Sequence, residues 1–244
     1  MTSPSYEKRR SQLENYFDRT AADAWKKLTS DHTPLGRVRA TVRAGREQMR
    51  NTLLDWLPDD LHGKWVLDAG CGTGTFSTEA ARRGARVVAI DLAGNLVEMA
   101  RERAAGMDLG DGEIDFRVGD FLDPALGEFD YVIAMDSFIH YPSADIVNVL
   151  SRLSQRTHAS ILFTFAPRTP MLTLMHATGK LFPKGDRSPA IEPVAEGTLL
   201  RLIDAEPTLD GWSPVRTRRI AKGFYISQAM ELANPGETGG HAGS

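Results

Sequence analysis

Val66-Leu-Asp-Ala-Gly-Cys-Gly-Thr-Gly-Thr-Phe-Ser77 is the stretch on which the fold turns. An apolar run carrying Asp68 opens into a turn with glycine at 70, 72 and 74, and helix-forming residues, Thr78-Glu-Ala-Ala-Arg-Arg83, follow at once. A strand that ends in glycines and starts a helix lets the backbone approach a ligand closely, because glycine lacks a Cβ and tolerates positive φ. The spacing is G-x-G-x-G rather than the G-x-G-x-x-G of pyrophosphate-binding turns, and Asp68 stands two positions before the first glycine. This combination points away from a dinucleotide and toward a ligand that ends in an amino-acid group.

Outward from that turn, strand and helix alternate. Residues 65–69, 86–91, 114–118, 129–135 and 160–165 read as near-continuous apolar strands, and 75–83, 95–105 and 143–156 as helices. Such a pattern predicts a mostly parallel sheet covered on both faces, with ligands at the carboxyl ends of its strands. After the fifth strand the alternation lapses. Residues 167–207 hold six prolines and a Met/Leu-rich helix near 170–181, and read as an insertion that covers the strand ends. Residues 213–221 and 224–232, parted by Lys222-Gly223, predict a closing hairpin, and the Gly-rich 234–244 a disordered tail. Upstream, 5–30 and 36–57 read as helices. The expected organisation is thus a helical cap or lid (1–61), an α/β core (62–233) with the covering insertion at 167–207, and the tail (234–244).

The composition bounds the function. With 41% hydrophobic and 25% charged residues the chain suits one large globular core, and a net charge of −3 gives no drive toward nucleic acid. The single cysteine, Cys71, excludes an internal disulfide and a cysteine-rich zinc site and fits a reducing compartment. No apolar segment follows Lys8-Arg9-Arg10, and no run of about 18 apolar residues exists to span a bilayer. A cytoplasmic location is expected, with attachment to a membrane surface left open.

Acidic residues recur at the predicted strand ends. Asp91 ends strand two, 17 positions after Gly74, where a carboxylate accepts from both hydroxyls of a ribose. Asp120 follows strand three and suits an adenine amino group, with Phe121 beside the ring. Asp136 follows strand four and is more ambiguous. Each has a plain alternative, a cap or turn aspartate, but their joint placement at consecutive strand ends is specific. S-adenosylmethionine fits these groups. Over residues 62–166 the chain resembles the Rossmann-like class I S-adenosylmethionine-dependent methyltransferases, on Asp68, Gly70, Gly72, Gly74, Asp91 and Asp120. The resemblance implies a seven-stranded, mostly parallel sheet with an antiparallel last strand. It also implies a cofactor site that adds Leu92, Phe121, Met135 and Asp136 to those six, with no protein-bound metal.

Outside the core, Asn15-Tyr-Phe-Asp-Arg-Thr-Ala-Ala-Asp-Ala-Trp-Lys-Lys-Leu28, Val38-Arg-Ala-Thr-Val-Arg-Ala-Gly-Arg46, Met135-Asp-Ser-Phe-Ile-His-Tyr-Pro142 and Leu181-Phe-Pro-Lys-Gly-Asp-Arg-Ser-Pro189 occur together. On these segments nearly the whole chain is similar to the magnesium-protoporphyrin IX O-methyltransferase family of chlorophyll and bacteriochlorophyll synthesis. The resemblance implies methyl transfer to one propionate of magnesium protoporphyrin IX, the magnesium being the substrate's. It also implies a link to the porphyrin-carrying subunit of magnesium chelatase, and loose association with the photosynthetic membrane. His140 and Tyr16 fall at the family's critical histidine and tyrosine.

A propionate is ionised at neutral pH, carboxyl pKa values lying near about 4, so no strong base is needed. What the protein must supply is alignment with the methyl donor and exclusion of water. His140 fits a group that orients the propionate and takes up a residual proton, or an axial ligand to the substrate magnesium, although that ion prefers oxygen. Tyr16 fits an orienting group or plain helix packing. Met171 and Met175 suit a flat apolar macrocycle or a completed core, and Arg168, Lys184 and Arg187 are candidate partners of the second propionate. Arg39, Arg43, Arg46 and Arg50 share one helix face. A solvated basic face is the usual meaning of such a run, and a rim attracting an anionic substrate is the other. Two further functions stay open: methylation of another acid, phenol or quinone precursor, and a weakly catalytic adenosylmethionine-binding module.

Overall fold

The computed structural model describes residues 4–16, 37–169 and 191–234. Helices α1 (Pro4–Tyr16) and α2 (Arg37–Trp56) precede the alternating run β1 (Trp65–Ala69), α3 (Thr75–Arg82), β2 (Arg86–Asp91), α4 (Gly94–Ala104), β3 (Glu113–Val118), β4 (Phe129–Ala134), α5 (Ser143–Ser154) and β5 (Thr157–Phe165). Helix α6 (Glu196–Asp204) and the hairpin β6 (Ser213–Lys222) and β7 (Tyr225–Ala233) complete it. The seven-stranded sheet has the order β3-β2-β1-β4-β5-β7-β6. Strands β1 to β5 pair in parallel, and β7 runs antiparallel between β5 and β6. This is the class I methyltransferase sheet expected from the sequence.

Alternation along the central strands sorts the core into two layers, as a period of two requires. Leu67, Ala69, Val132, Ala134, Ile161, Phe163 and Phe165 face a layer that includes α5, α6 and α1 residues Tyr6 and Leu13. Val66, Ile133 and Leu162 face the other, with Met49, Leu53 and Leu54 of α2, Leu57 just beyond it, and Phe76, Ala80 and Ala81 of α3. Full burial of each Leu or Met of α2 stabilises by about 1.5–3 kcal/mol. The carboxyl-terminal half of α2 is therefore packed into the same core as β1. Strand β6 is almost wholly exposed on the sheet edge, where Arg216, Arg218, Arg219 and Lys222 discourage pairing with another chain.

Two expectations change. Helix α6 lies within the span read as an irregular insertion, and it restores the alternation between β5 and β6. Its nine residues bury only Leu199 and Ile203, and Pro193 and Pro207 flank it, so its period is hard to see. The hairpin turn is Gly223-Phe224, because Lys222 pairs with Tyr225. The helical readings of 17–30 and 170–181, and the tail from 235, lie outside the described residues.

Candidate active site

The sheet order reverses between β1 and β4, and the turns that follow these two strands flank that switch point. Register places Ala69 beside Ile90, and Ile90 O accepts from the N–H groups of Gly70 (2.8 Å) and Cys71 (3.0 Å). The glycines at 70, 72 and 74 have φ of +84°, +53° and +72°. At Gly70 a Cβ would also stand 2.2 Å from Ser137 Oγ, which donates to Ala69 O at 2.6 Å. The turn after β1 and the turn after β4 are thus in direct contact, and only glycine fits there.

Two carboxylates face this turn. Asp91 takes the Gly72 N–H on Oδ2 and the Ala93 N–H on Oδ1, both at 2.9 Å, so the end of β2 pins the glycine loop. Asp68 is buried and accepts from Ser77 Oγ at 2.5 Å. Burial pushes its pKa up to about 7, against the Ser77 bond and with the charge of Asp91 adding to the rise. A cation placed here would relieve both. Burial also raises the Cys71 thiol well above its ordinary value, with Asp68 and Asp91 adding to it, so Cys71 offers no thiolate.

A cavity of about 970 Å³ opens over the turn and reaches past the end of β4 to α2 and β7. Ligand clefts run to about 1,000 Å³, so this volume suits two ligands rather than one small one. Asp136, just beyond β4, has φ 57° and donates its backbone N–H to Thr164 Oγ1 at 2.7 Å. Its carboxylate accepts from Tyr225 Oη at 3.0 Å and pairs with Arg46 Nη1 at 2.9 Å. His140 is buried in the following turn, which Glu192 holds by donating its N–H to Ile139 O at 2.9 Å.

A family model described as "Magnesium-protoporphyrin IX methyltransferase C-terminus" matches residues 134–234, and one described as "Methyltransferase domain" matches 66–158. The magnesium-protoporphyrin O-methyltransferase of Rhodobacter capsulatus is 48% identical over 226 residues, which cover 93% of this chain and 97% of that protein. The chain belongs to the magnesium-protoporphyrin O-methyltransferase family. The Synechocystis member is 28% identical over 90% of this chain and 94% of its own length. The crystal structure of magnesium protoporphyrin IX methyltransferase from Synechocystis PCC 6803 with bound SAH matches with a TM-score of 0.79. It has 27% identity and covers 92% of this chain and 99% of that one.

Within this methyltransferase fold, Asp68, Gly70, Gly72, Asp91, Leu92 and Phe121 line the cavity. Met135, Asp136, His140 and Tyr16 line it too, while Gly74 caps α3. Asp120 does not line the cavity. Its Oδ1 accepts from Tyr6 Oη (3.0 Å) and from the Leu122 N–H (2.9 Å), and its Oδ2 from Arg10 Nη1 (3.0 Å). The turn alternative is realised, and α1 takes what the carboxylate has left. Arg168 is exposed and likewise outside the lining. Met171, Met175, Lys184 and Arg187 lie outside the described residues. The basic face of α2 reverses its usual meaning: Arg43, Arg46 and Arg50 are half-buried and line the cavity. Nothing in the sequence marks Tyr225 as their neighbour.

Proposed function

We propose that the chain transfers the methyl group of S-adenosylmethionine to one propionate carboxylate of magnesium protoporphyrin IX, giving the monomethyl ester in chlorophyll or bacteriochlorophyll synthesis. The carrying observation is the single cavity that joins a carboxylate-lined glycine turn to an arginine-lined helix face. The first suits a ligand with an ammonium group and two hydroxyls, and the second suits a dicarboxylate.

S-adenosylmethionine supplies an electrophilic methyl on a sulfonium. Asp68 and Asp91 hold its ammonium and ribose ends, and the glycine turn brings backbone close to it. The propionate arrives ionised, so His140 and Tyr16 orient it, and His140 takes any proton that burial restores to the carboxyl. Leu13 and Tyr16 of α1 line the cavity and the buried Tyr6 anchors that helix, so the amino-terminal segment serves as a cover that excludes water.

Contact with a membrane surface, and with the porphyrin-carrying subunit of magnesium chelatase, belongs to the same proposal. No helix among the described residues is long and apolar enough to cross a membrane. Phe224 and Ile191, 55% and 37% exposed, stand on the cavity wall as apolar surface for such a contact.

The test incubates the protein with methyl-labelled S-adenosylmethionine and magnesium protoporphyrin IX. Label is expected in a porphyrin monomethyl ester. Label entering only a phenol or quinone precursor overturns the substrate, and no transfer despite donor binding leaves a binding module.

A further inference from the structure

Asp136 is the one non-glycine residue with a left-handed backbone among the described residues. Aspartate tolerates that region better than most side chains, yet such conformations persist chiefly where the surroundings enforce them. Here the enforcement comes from three other elements. Thr164 of β5 accepts the Asp136 N–H at 2.7 Å, Tyr225 of β7 donates to its Oδ1 at 3.0 Å, and Arg46 of α2 meets its Oδ2 at 2.9 Å. The Asp136 side chain is 7% exposed and that of Arg46 24%. A buried ion pair adds little to stability compared with apolar packing of the same volume, so this one calls for another purpose.

The packing around it is equally particular. A Cβ on Gly45 would stand 2.5 Å from Tyr225 Cδ1, so glycine in mid-helix lets α2 press on the tyrosine ring next to Arg46. Arg46 is thereby fixed in direction while its guanidinium stands on the cavity wall. Arg50, one turn on, lines the same wall, and its buried Nε has no hydrogen-bond partner among the described residues. A planar fork with five donors is matched to a carboxylate.

We propose that Arg46 binds the propionate that is not methylated, with Asp136 and Tyr225 as its positioning residues. This rests on the functional reading above and adds a reason for stopping at one ester. The reacting carboxylate is the nucleophile, and a bidentate guanidinium on it would hold back the electron pair it must donate. The other propionate has no such demand and serves as a handle. Once the first ester has formed, turning the macrocycle over would set an uncharged ester against Arg46. The guanidinium would then keep Asp136 but lose the charged, bidentate contact with the propionate, and a second methylation is refused.

The test compares kcat/KM for magnesium protoporphyrin IX and for its monomethyl ester carrying the ester on the ordinarily unreacted propionate. The native protein should prefer the diacid by about 100-fold, the worth of a charged bidentate contact. Arg46→Gln should bring the two within about threefold, mainly through KM, while leaving the affinity for S-adenosylhomocysteine near native; the melting temperature should fall, because Asp136 stays buried without its cation. Arg46→Lys should restore part of the preference. Asp136→Asn and Tyr225→Phe should lower it by an intermediate factor, again with KM rising more than kcat falls. A preference that survives Arg46→Gln, or a fall in donor affinity equal to the fall in kcat/KM, overturns the assignment. If the native protein methylates neither porphyrin, the functional reading fails, and Arg46 with it.

Discussion

The two walls of the cavity are built from contacts of very different reach along the chain. On the donor wall Ser77 donates to Asp68 across 9 positions, and the Gly72 N–H to Asp91 across 19. On the acceptor side Tyr225 meets Asp136 across 89 positions, and behind the lining, where α1 is held, Tyr6 meets Asp120 across 114 and Arg9 pairs with Glu192 across 183. The first wall is one strand-turn-helix-strand unit whose geometry follows from local rules. The second exists only once α1, α2, β4 and β7 have packed. Donor binding should therefore withstand damage to the acceptor wall, and the reverse should hold.

The largest expected effect tests that separation directly. His140→Ala should lower kcat by about 100-fold or more, the usual worth of a positioned acid-base group. The affinity for S-adenosylhomocysteine, read by calorimetry, should stay within twofold. Loss of both together would mean that the walls are one unit. A porphyrin Soret shift on binding that vanishes in the variant would make His140 a magnesium ligand rather than an orienting group.

Next in size is the pH response of the donor wall. The folded pKa of Asp68, about 7, lies above its unfolded value of 3.8. The folded form thus keeps a proton between these values that the unfolded form has released. The stability contributed by this proton is complete below pH 3.8 and is lost as pH rises toward 7, on the order of 4 kcal/mol in all. Asp68→Asn should remove that part of the slope in melting temperature against pH. It should also weaken donor binding, since the ligand's ammonium favours the ionised carboxylate. Native binding near pH 6.5 should release protons, visible as a dependence of the calorimetric heat on buffer. An unchanged slope in the Asn variant would place the titration elsewhere.

Asp91→Ala should follow, with about 100-fold weaker donor binding from the loss of charge-assisted hydrogen bonds to the ribose and to the Gly72 and Ala93 N–H groups. Porphyrin affinity, read from the Soret band, should not move. This difference in reach is also why the two walls were unequally legible. G-x-G-x-G after Asp68, with Asp91 one strand on, announces the donor turn because every contact is made within one unit. The five parallel strands were legible for the same reason, four as short apolar runs and β3 as an alternation of charged and apolar residues. The α2 arginines showed their common helix face but not what that face meets, since only tertiary packing sets Asp136 and Tyr225 against it. Asp120 shows the same limit: its local signal matched a ligand acceptor, and the partners that a helix more than a hundred residues upstream brings to its carboxylate were not legible. Helix α6 was missed for brevity, not distance.

The smallest effect falls on the residue whose wall is in question. Tyr6 stacks on Tyr141 at 5.2 Å and meets Phe121 edge-on at 6.5 Å, and only its hydroxyl reaches Asp120. Tyr6→Phe keeps the ring and deletes the hydrogen bond, so stability should fall by about 1 kcal/mol and the melting temperature by about 2–4 °C. Asp120 would retain Arg10 and the Leu122 N–H. If Asp120 is the clasp for α1, the affinity for S-adenosylhomocysteine should be unchanged while catalysis slows through a looser cover. If it also accepts from the adenine, freeing one of its lone pairs should tighten donor binding severalfold. That outcome would carry a long-range contact into the local wall and break the division between them. Unchanged affinity with a lowered melting temperature would leave Asp120 on the α1 side, where an acid at the end of β3 serves to hold a helix.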